Sequence, residues 1–328
     1  MIRLEKTFRL SLRYAGFLFI LLAFSCKNSE EKNSIDILTL RGPSAISMLY
    51  LMEGFKEMDD IPLHYEILNE PLQIRARMLR EEPELAIMPT NMAANLYNKG
   101  VSYQLAAISV WGTLSVFGND TSIKNWKDLK GKRIHLMAKG MTPDILFRYL
   151  AEKNNLDPDK DMILDYSFPS HSDLANAVIA GLADIAVLSE PLISMVKKEN
   201  RKINTIFNLE QEWKEVLNKE FSIPQTSLVV KESFARDNPE AVIQFIEEYR
   251  NNCSRVVANP ADAARLTVKY DILPDIEVAE QAIPGCNLKV MPSWEVKGMV
   301  KAYLDVFYNF DPESIGGQLP DETFYLKK

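Results

Sequence analysis

Three histidines (His64, His135 and His171) and three cysteines (Cys26, Cys253 and Cys286) are the side chains of this 328-residue chain best suited to metal or nucleophile chemistry. Their spacing supports neither. Glu66 lies two residues from His64, but no second histidine or cysteine joins them at the intervals of a zinc site. No Gly-x-Ser-x-Gly elbow, Walker A loop or Gly-x-Gly-x-x-Gly fingerprint occurs. What remains is a set of small polar residues placed just after apolar runs, where hydroxyls, amides and free backbone N–H groups suit binding rather than reaction. Ser44 follows Arg41-Gly42-Pro43, and Thr142 follows Lys139-Gly140-Met141 and precedes Pro143. Each stands where a strand gives way to a helix, whose first turn offers unpaired N–H groups and the positive end of the dipole. Plain helix capping, a role every helix needs, is the commoner reason for such residues at both places.

Thr90 and Asn91 follow the run Leu85 to Met88, and Ser189 and Glu190 follow Ile185 to Leu188. A carboxylate at Glu190 suits a ligand with N–H donors or positive charge, or a cap on the helix through Ile193 to Val196. Trp111, Gly112 and Thr113 interrupt a long β-rich stretch, and Thr226 opens a later one. The Trp111 indole can stack on a flat ring or pack beneath a bend; Trp126 belongs to the packing of a short connecting turn. The sign of a ligand is open: Arg41, Lys139 and the helix ends favour an anion, whereas Asp144 and Glu190 oppose one.

The elements that position these residues come in two similar sets. Ile35 to Leu40, Ala45 to Met58, Leu63 to Ile67, Leu72 to Leu79 and Leu85 to Met88 alternate β-rich and helical patterns. The order recurs in Arg133 to Met137, Pro143 to Lys153, Met162 to Tyr166, Leu174 to Ala180 and Ile185 to Leu188. Such alternation predicts parallel α/β architecture. Leu38 to Ser44 parallels Leu136 to Thr142, and Glu84 to Pro89 parallels Asp184 to Ser189, so the chain reads as one layout built twice. Between the sets Leu105 to Phe117 crosses over, with a bend at Gly112, and Ser227 to Val230 carries the chain back. Helical patterns over Pro239 to Val257, Pro260 to Lys269, Ile276 to Ala282 and Trp294 to Tyr308 follow, their apolar stripes read as core.

At the start of the chain Arg3, Lys6, Arg9 and Arg13 precede an apolar stretch, Tyr14 to Ala23, too short to span a bilayer, and then Cys26. Leu22-Ala23-Phe24-Ser25-Cys26 resembles a bacterial lipobox, which implies removal of residues 1–25, a diacylglycerol thioether on Cys26 and a membrane-anchored protein in the cell envelope, facing the periplasm. Residues 26–34, with no apolar side chain after Cys26, read as a tether. The whole chain carries a net charge of −7; without the leader's four basic groups and one acidic group this becomes −10, which argues against nucleic acid as a partner. Cys253 and Cys286 are an even pair in an oxidising compartment, open to a disulfide or to two separately buried thiols.

Several motifs in order carry a wider resemblance: Arg41-Gly42-Pro43-Ser44, Leu85-Ala86-Ile87-Met88-Pro89-Thr90-Asn91, Asp128-Leu129-Lys130-Gly131-Lys132, Lys139-Gly140-Met141-Thr142-Pro143, Gly181 to Pro191, Asn238 to Val242 and Ser314 to Pro320. Together they are similar to the substrate-binding proteins of ABC importers in the nitrate, sulfonate and thiamine-precursor group. The resemblance implies a type II periplasmic-binding-protein fold: two α/β lobes, residues 35–112 with 227–328 and residues 113–226, joined by two hinge strands. It implies a monomer without cofactor or catalysis, closing on a small molecule and passing it to ABC permease subunits. The expected ligand is a small organic molecule, a heteroaromatic or a sulfonate, rather than bare nitrate. Two other classes compete: a lyase of the same fold, resembling menaquinone-pathway dehydratases, which an export signal disfavours, and a surface lipoprotein that only adheres, for which Ser29-Glu30-Glu31 is the cue.

Overall fold

A computed structural model describes residues 34–137, 139–217 and 220–328; the expected leader, the lipidation site Cys26 and the tether as far as residue 33 lie outside them. Twelve strands are described: β1 Ile35–Leu40, β2 Glu57–Met58, β3 Ile61–Leu68, β4 Leu85–Pro89, β5 Tyr103–Trp111, β6 Leu114–Gly118, β7 Arg133–His135, β8 Ile163–Asp165, β9 Ile185–Ser189, β10 Asn204–Asn208, β11 Pro224–Lys231 and β12 Leu288–Pro292. They form two sheets, one of seven strands in the order β12-β5-β11-β4-β1-β3-β2 and one of five in the order β10-β6-β9-β7-β8. This is the two-lobe α/β fold that the repeated pattern and the motifs suggest.

Each sheet has a parallel centre. β1 pairs in parallel with β3 and β4, and β7 with β8 and β9. Those strands carry near-continuous apolar runs, as strands covered on both faces do: Leu85 to Met88 and Ile185 to Leu188 are wholly buried. At the flanks of these parallel centres the pairing changes direction. β5, β11 and β12 run antiparallel to their neighbours in the large sheet, and β6 and β10 do so in the small one. The long crossing β5–β6 leaves one sheet and enters the other, so the returning β11 has to run against β5.

The predicted helix over Ala45 to Met58 is corrected. Short helices Pro43–Ile46 and Leu49–Gly54 are followed by β2. Ser47 breaks the run: its buried hydroxyl donates to the Ser44 carbonyl at 2.6 Å and meets the Tyr249 hydroxyl at 2.5 Å. A serine bonded back to the backbone competes with the helical ladder.

The last long helix, Ser293–Phe310, holds the two halves together. Its Tyr303 ring lies 6.2 Å from Trp213, and its terminal Phe310 meets Tyr149 edge-on at 6.2 Å. Trp213 and Tyr149 belong to helices Leu209–Val216 and Thr142–Lys153, beside the small sheet. Tyr303, Phe307 and Trp213 are fully buried, each worth about 2–3 kcal/mol of apolar burial. This helix therefore packs one continuous core across both halves.

Candidate functional site

The carboxyl ends of the parallel strands in both sheets lead into helices that meet. β4 runs straight into helix Thr90–Asn98, and β7, through a loop, into helix Thr142–Lys153. Thr142 Oγ1 donates to Asn91 Oδ1 at 3.3 Å, a hydrogen bond from one half to the other. Three further approaches border the same junction. Gly42 faces Pro191, Gly140 faces the Asp311 carboxylate, and Gly285 lies so close to Glu190 that an added Cβ would sit 2.9 Å from its Cγ. Polar atoms at this junction are not all satisfied. Thr90 Oγ1 is enclosed without a partner, and the buried Tyr303 hydroxyl approaches Thr142 without a hydrogen bond of normal geometry. Unpaired buried hydroxyls are costly, so both are open to a further polar partner.

The second half's strand-end loop is already committed internally. Gly140, at φ +80°, donates its N–H to Asp144 Oδ2 at 2.7 Å. Asp144 Oδ1 takes the Arg148 Nε at 2.8 Å and the Tyr166 hydroxyl at 2.6 Å, and Arg148 reaches Asp159 in turn. Asp144, read from sequence as a charge repelling an anion, is here neutralised by Arg148 and occupies the N–H that an anion would use. Lys139 is exposed at the rim. Arg41 is exposed too, its Nε bonded to Asn69 Oδ1 at 2.6 Å and its Nη1 near Asp271. Ser44 is buried in a single turn of helix and makes no side-chain cap bond. Ser189 is half-buried at the end of β9, paired with Leu114, and Thr226 is buried opposite Pro89. Glu190 carries the cap role expected for it, accepting the Ser194 N–H at 3.0 Å. Burial pushes its carboxyl above the usual range, against the pull of those Ser194 bonds.

Trp111, Gly112 and Thr113 form the crossing rather than an open wall. Trp111 is buried and donates its indole N–H to the Lys289 carbonyl at 2.8 Å. Thr113 N–H donates to Gln225 Oε1 at 2.9 Å, and Gly112 N–H to the Ile223 carbonyl at 3.0 Å, so the outgoing and returning segments are stitched together. Sequence reasoning missed the residue that fills this stitch. The buried Glu210 carboxylate accepts the Ile223 N–H at 2.9 Å, pairs with Lys214 at 2.8 Å and occupies the space a side chain at position 112 would need. Only glycine leaves that room. Asn287 adds a third tie, donating to the Gly112 carbonyl at 2.5 Å. In sequence, Glu210 carries just the ordinary signal of an acidic residue in a first helical turn; nothing local ties it to a glycine about a hundred residues earlier.

The disulfide alternative for Cys253 and Cys286 does not hold. Both are free thiols buried in the core of the large half, and burial pushes the Cys253 thiol up to about 12. A hollow of about 690 Å³, lined by Lys132, Arg133, His135, Asp120 and Asp165 among others, lies on the flank of the small sheet near the amino ends of β7 and β9. Its walls are largely self-paired, Lys132 with Asp120 and Arg133 with Asp165, both at 2.7 Å, and it also borders Asp165, Ser167 and Phe168 at the carboxyl end of β8.

Comparison with known proteins bears on the fold. Residues 111–263 match the family model described as NMT1/THI5 like. The chain is 21% identical over 249 residues to YtlA of Bacillus subtilis (strain 168), a protein described as a binding protein only by inference; the match spans 74% of this chain and 72% of that one. A crystal structure of an ABC transporter protein from Parabacteroides distasonis superposes with a TM-score of 0.80 at 26% identity, covering 90% of this chain and 100% of the other. The periplasmic aliphatic sulphonate binding protein SsuA from Escherichia coli superposes with a TM-score of 0.72 at 14% identity, covering 90% and 96%. At that identity the likeness speaks for the fold alone. A segment similar to the NMT1/THI5-like family, residues 111–263, is thus set in a two-sheet fold that this chain shares with solved ABC transporter proteins.

Proposed function

We propose that this protein is an extracytoplasmic lipoprotein that closes on a small organic solute, a sulfonate or a heteroaromatic related to thiamine precursors, and delivers it to an ABC permease. Cys26 carries the lipid, and the tether holds the binder near a membrane, raising its effective concentration at a partner there. Residues 35–112 with 227–328 form one jaw and residues 113–226 the other; the stitched segments at Gly112–Thr113 and Ile223–Gln225 are the hinge. The solute sits among Thr90, Asn91, Thr142, Ser189 and Glu190.

The observation that carries this reading is the hydrogen bond from Thr142 to Asn91, which brings the first turns of two helices from different sheets together at the strand ends. Native mass spectrometry of the full chain, purified without denaturation, tests it. A discrete excess mass of a few hundred daltons or less, released on unfolding, is the expected result. Bare protein that also shows no thermal shift against a metabolite library contradicts the reading.

A further inference from the structure

We propose that the hollow on the flank of the small sheet is a second binding site, separate from the strand-end junction, and that it takes a small organic cation, an ammonium on an apolar body. At about 690 Å³ the hollow has the size of a small-molecule site. One carboxylate in its wall is left over. Asp120 accepts the Ser122 N–H and hydroxyl on one oxygen and Lys132 on the other. Asp165 is engaged in the same way by the Ser167 N–H and hydroxyl and by Arg133. Asp184, exposed just before β9, lines the same hollow and has no hydrogen bond or ion pair among the described residues. With the His135 ring uncharged, three carboxylates face two cations, and the wall carries one negative charge in excess.

His135 supplies a second, independent observation. It lines the hollow at 6% exposure, and neither ring nitrogen has a hydrogen bond among the described residues. Nδ1 is enclosed and stands 3.8 Å from Asp165 Oδ1, beyond hydrogen-bond reach, which leaves Nε2 as the nitrogen open to the hollow. Desolvation, helped by Arg133, lowers its pKa against the opposing pull of Asp165 and Asp184, so the imidazole is neutral at pH 7 and offers a lone pair. An apolar edge completes the wall. The Phe168 ring lies 5.6 Å from that of His135, and Leu182 is 71% exposed. An anion entering here meets Lys132 and Arg133 already paired and Asp184 unopposed. A bare metal ion fits no better, since no three His, Cys, Asp or Glu side chains are grouped to hold one among the described residues. An ammonium gives Asp184 a charge-assisted partner, donates to the imidazole and lays its apolar body on Phe168 and Leu182.

An NMR titration of the full chain with benzylammonium, benzyl alcohol and benzenesulfonate tests the site. It is read at the Asp184 amide, at the His135 ring and at the amides opening helices Thr90–Asn98 and Thr142–Lys153. We expect benzylammonium to shift the Asp184 and His135 signals saturably and the neutral and anionic probes to leave them in place. Asp184→Asn should weaken benzylammonium about three- to tenfold, the scale of a charge-assisted bond open to solvent on one side. Phe168→Leu, which removes the ring face, should weaken it about two- to fivefold. Loss of affinity in either variant upholds the site. Shifts of Asp184 and His135 by benzyl alcohol or benzenesulfonate at equal or lower concentration, benzylammonium shifts confined to the two helix starts, no saturable shift with any probe, or affinity unchanged in both variants overturns the proposal. None of these outcomes bears on the strand-end cleft, on which the second site does not depend.

Discussion

The two strand-end loops, Leu38 to Ser44 and Leu136 to Thr142, share a sequence pattern and differ in what finishes them. Ninety-eight residues separate equivalent positions, so the counterpart of Asp144 is Ile46. In the first loop the chain turns at Gly42, at φ +103° and ψ −146°, into one turn of helix whose Ile46 is fully buried among apolar neighbours. In the second, Gly140 leads into a twelve-residue helix whose Asp144 gathers a backbone N–H, an arginine and a tyrosine. The same local turn is thus secured once by packing and once by a polar network. A repeat in sequence fixes where a loop stands, and a single residue decides what kind of energy holds it.

The sharpest way to break this comparison is to exchange the two finishing residues' roles. Asp144→Asn strips Arg148 of its buried partner, leaving it the exposed Asp159, and should cost about 3 kcal/mol, whereas Ile46→Ala leaves a cavity and should cost about 2–5 kcal/mol. Denaturant midpoints measure both. The difference between them lies in salt: high ionic strength should alter the wild type's advantage over Asp144→Asn and leave its advantage over Ile46→Ala unaltered. Equal salt responses would erase the distinction.

Acid should strike the second half first. His171, whose Nδ1 is enclosed without a partner, is held by burial at about 4, below its ordinary 6.5. His135 is lowered in the same direction, chiefly by desolvation, with Arg133 adding to it and Asp165 opposing. For a base whose folded value is depressed, the unfolded chain takes the proton first. The stabilising difference is therefore complete above pH 6.5 and drains away as pH falls towards 4. We expect the thermal midpoint to drop by several degrees between pH 7 and pH 4.5, and His171→Gln to flatten that slope; a pH-independent midpoint would refute the assignment.

A smaller contrast is expected at the glycines. Gly42 occupies backbone open essentially to glycine, while an added Cβ there meets nothing nearer than Pro191 Cδ at 3.9 Å, so Gly42→Ala should cost about 2 kcal/mol from the dihedrals alone. Gly140→Ala, at φ +80° with Asp311 at 3.4 Å, should cost about 1 kcal/mol. Smallest of all, Thr142→Val removes one cross-half bond of 3.3 Å and should leave stability within about 1 kcal/mol while weakening solute binding severalfold. If binding is untouched, Thr142 is only part of a helix start.

Much of this was legible in the residues. Buried runs such as Ile35 to Leu40 and Ile185 to Leu188 read directly as strands, because strands covered on both faces must be apolar throughout. The order of the repeat placed Thr90, Asn91 and Thr142 at strand ends that converge. What stayed hidden depended on partners distant in sequence. Ser47 breaks a helix because Tyr249 is there to receive it, Glu210 requires Gly112 to be bare, and Trp111 is consumed by the Lys289 carbonyl. No periodicity announces such pairs. The two cysteines show the same limit, since an even count says nothing of whether two buried thiols face one another.

Hydrogen exchange, read at the segments opening helices Thr90–Asn98 and Thr142–Lys153, tests the central claim most directly. The full chain as purified is compared with the same chain stripped of small molecules by unfolding and refolding. We predict slower exchange in both segments together when the solute is present. Protection confined to the hollow around His135 and Asp165, or to one helix start without the other, would contradict a site shared between the two sheets.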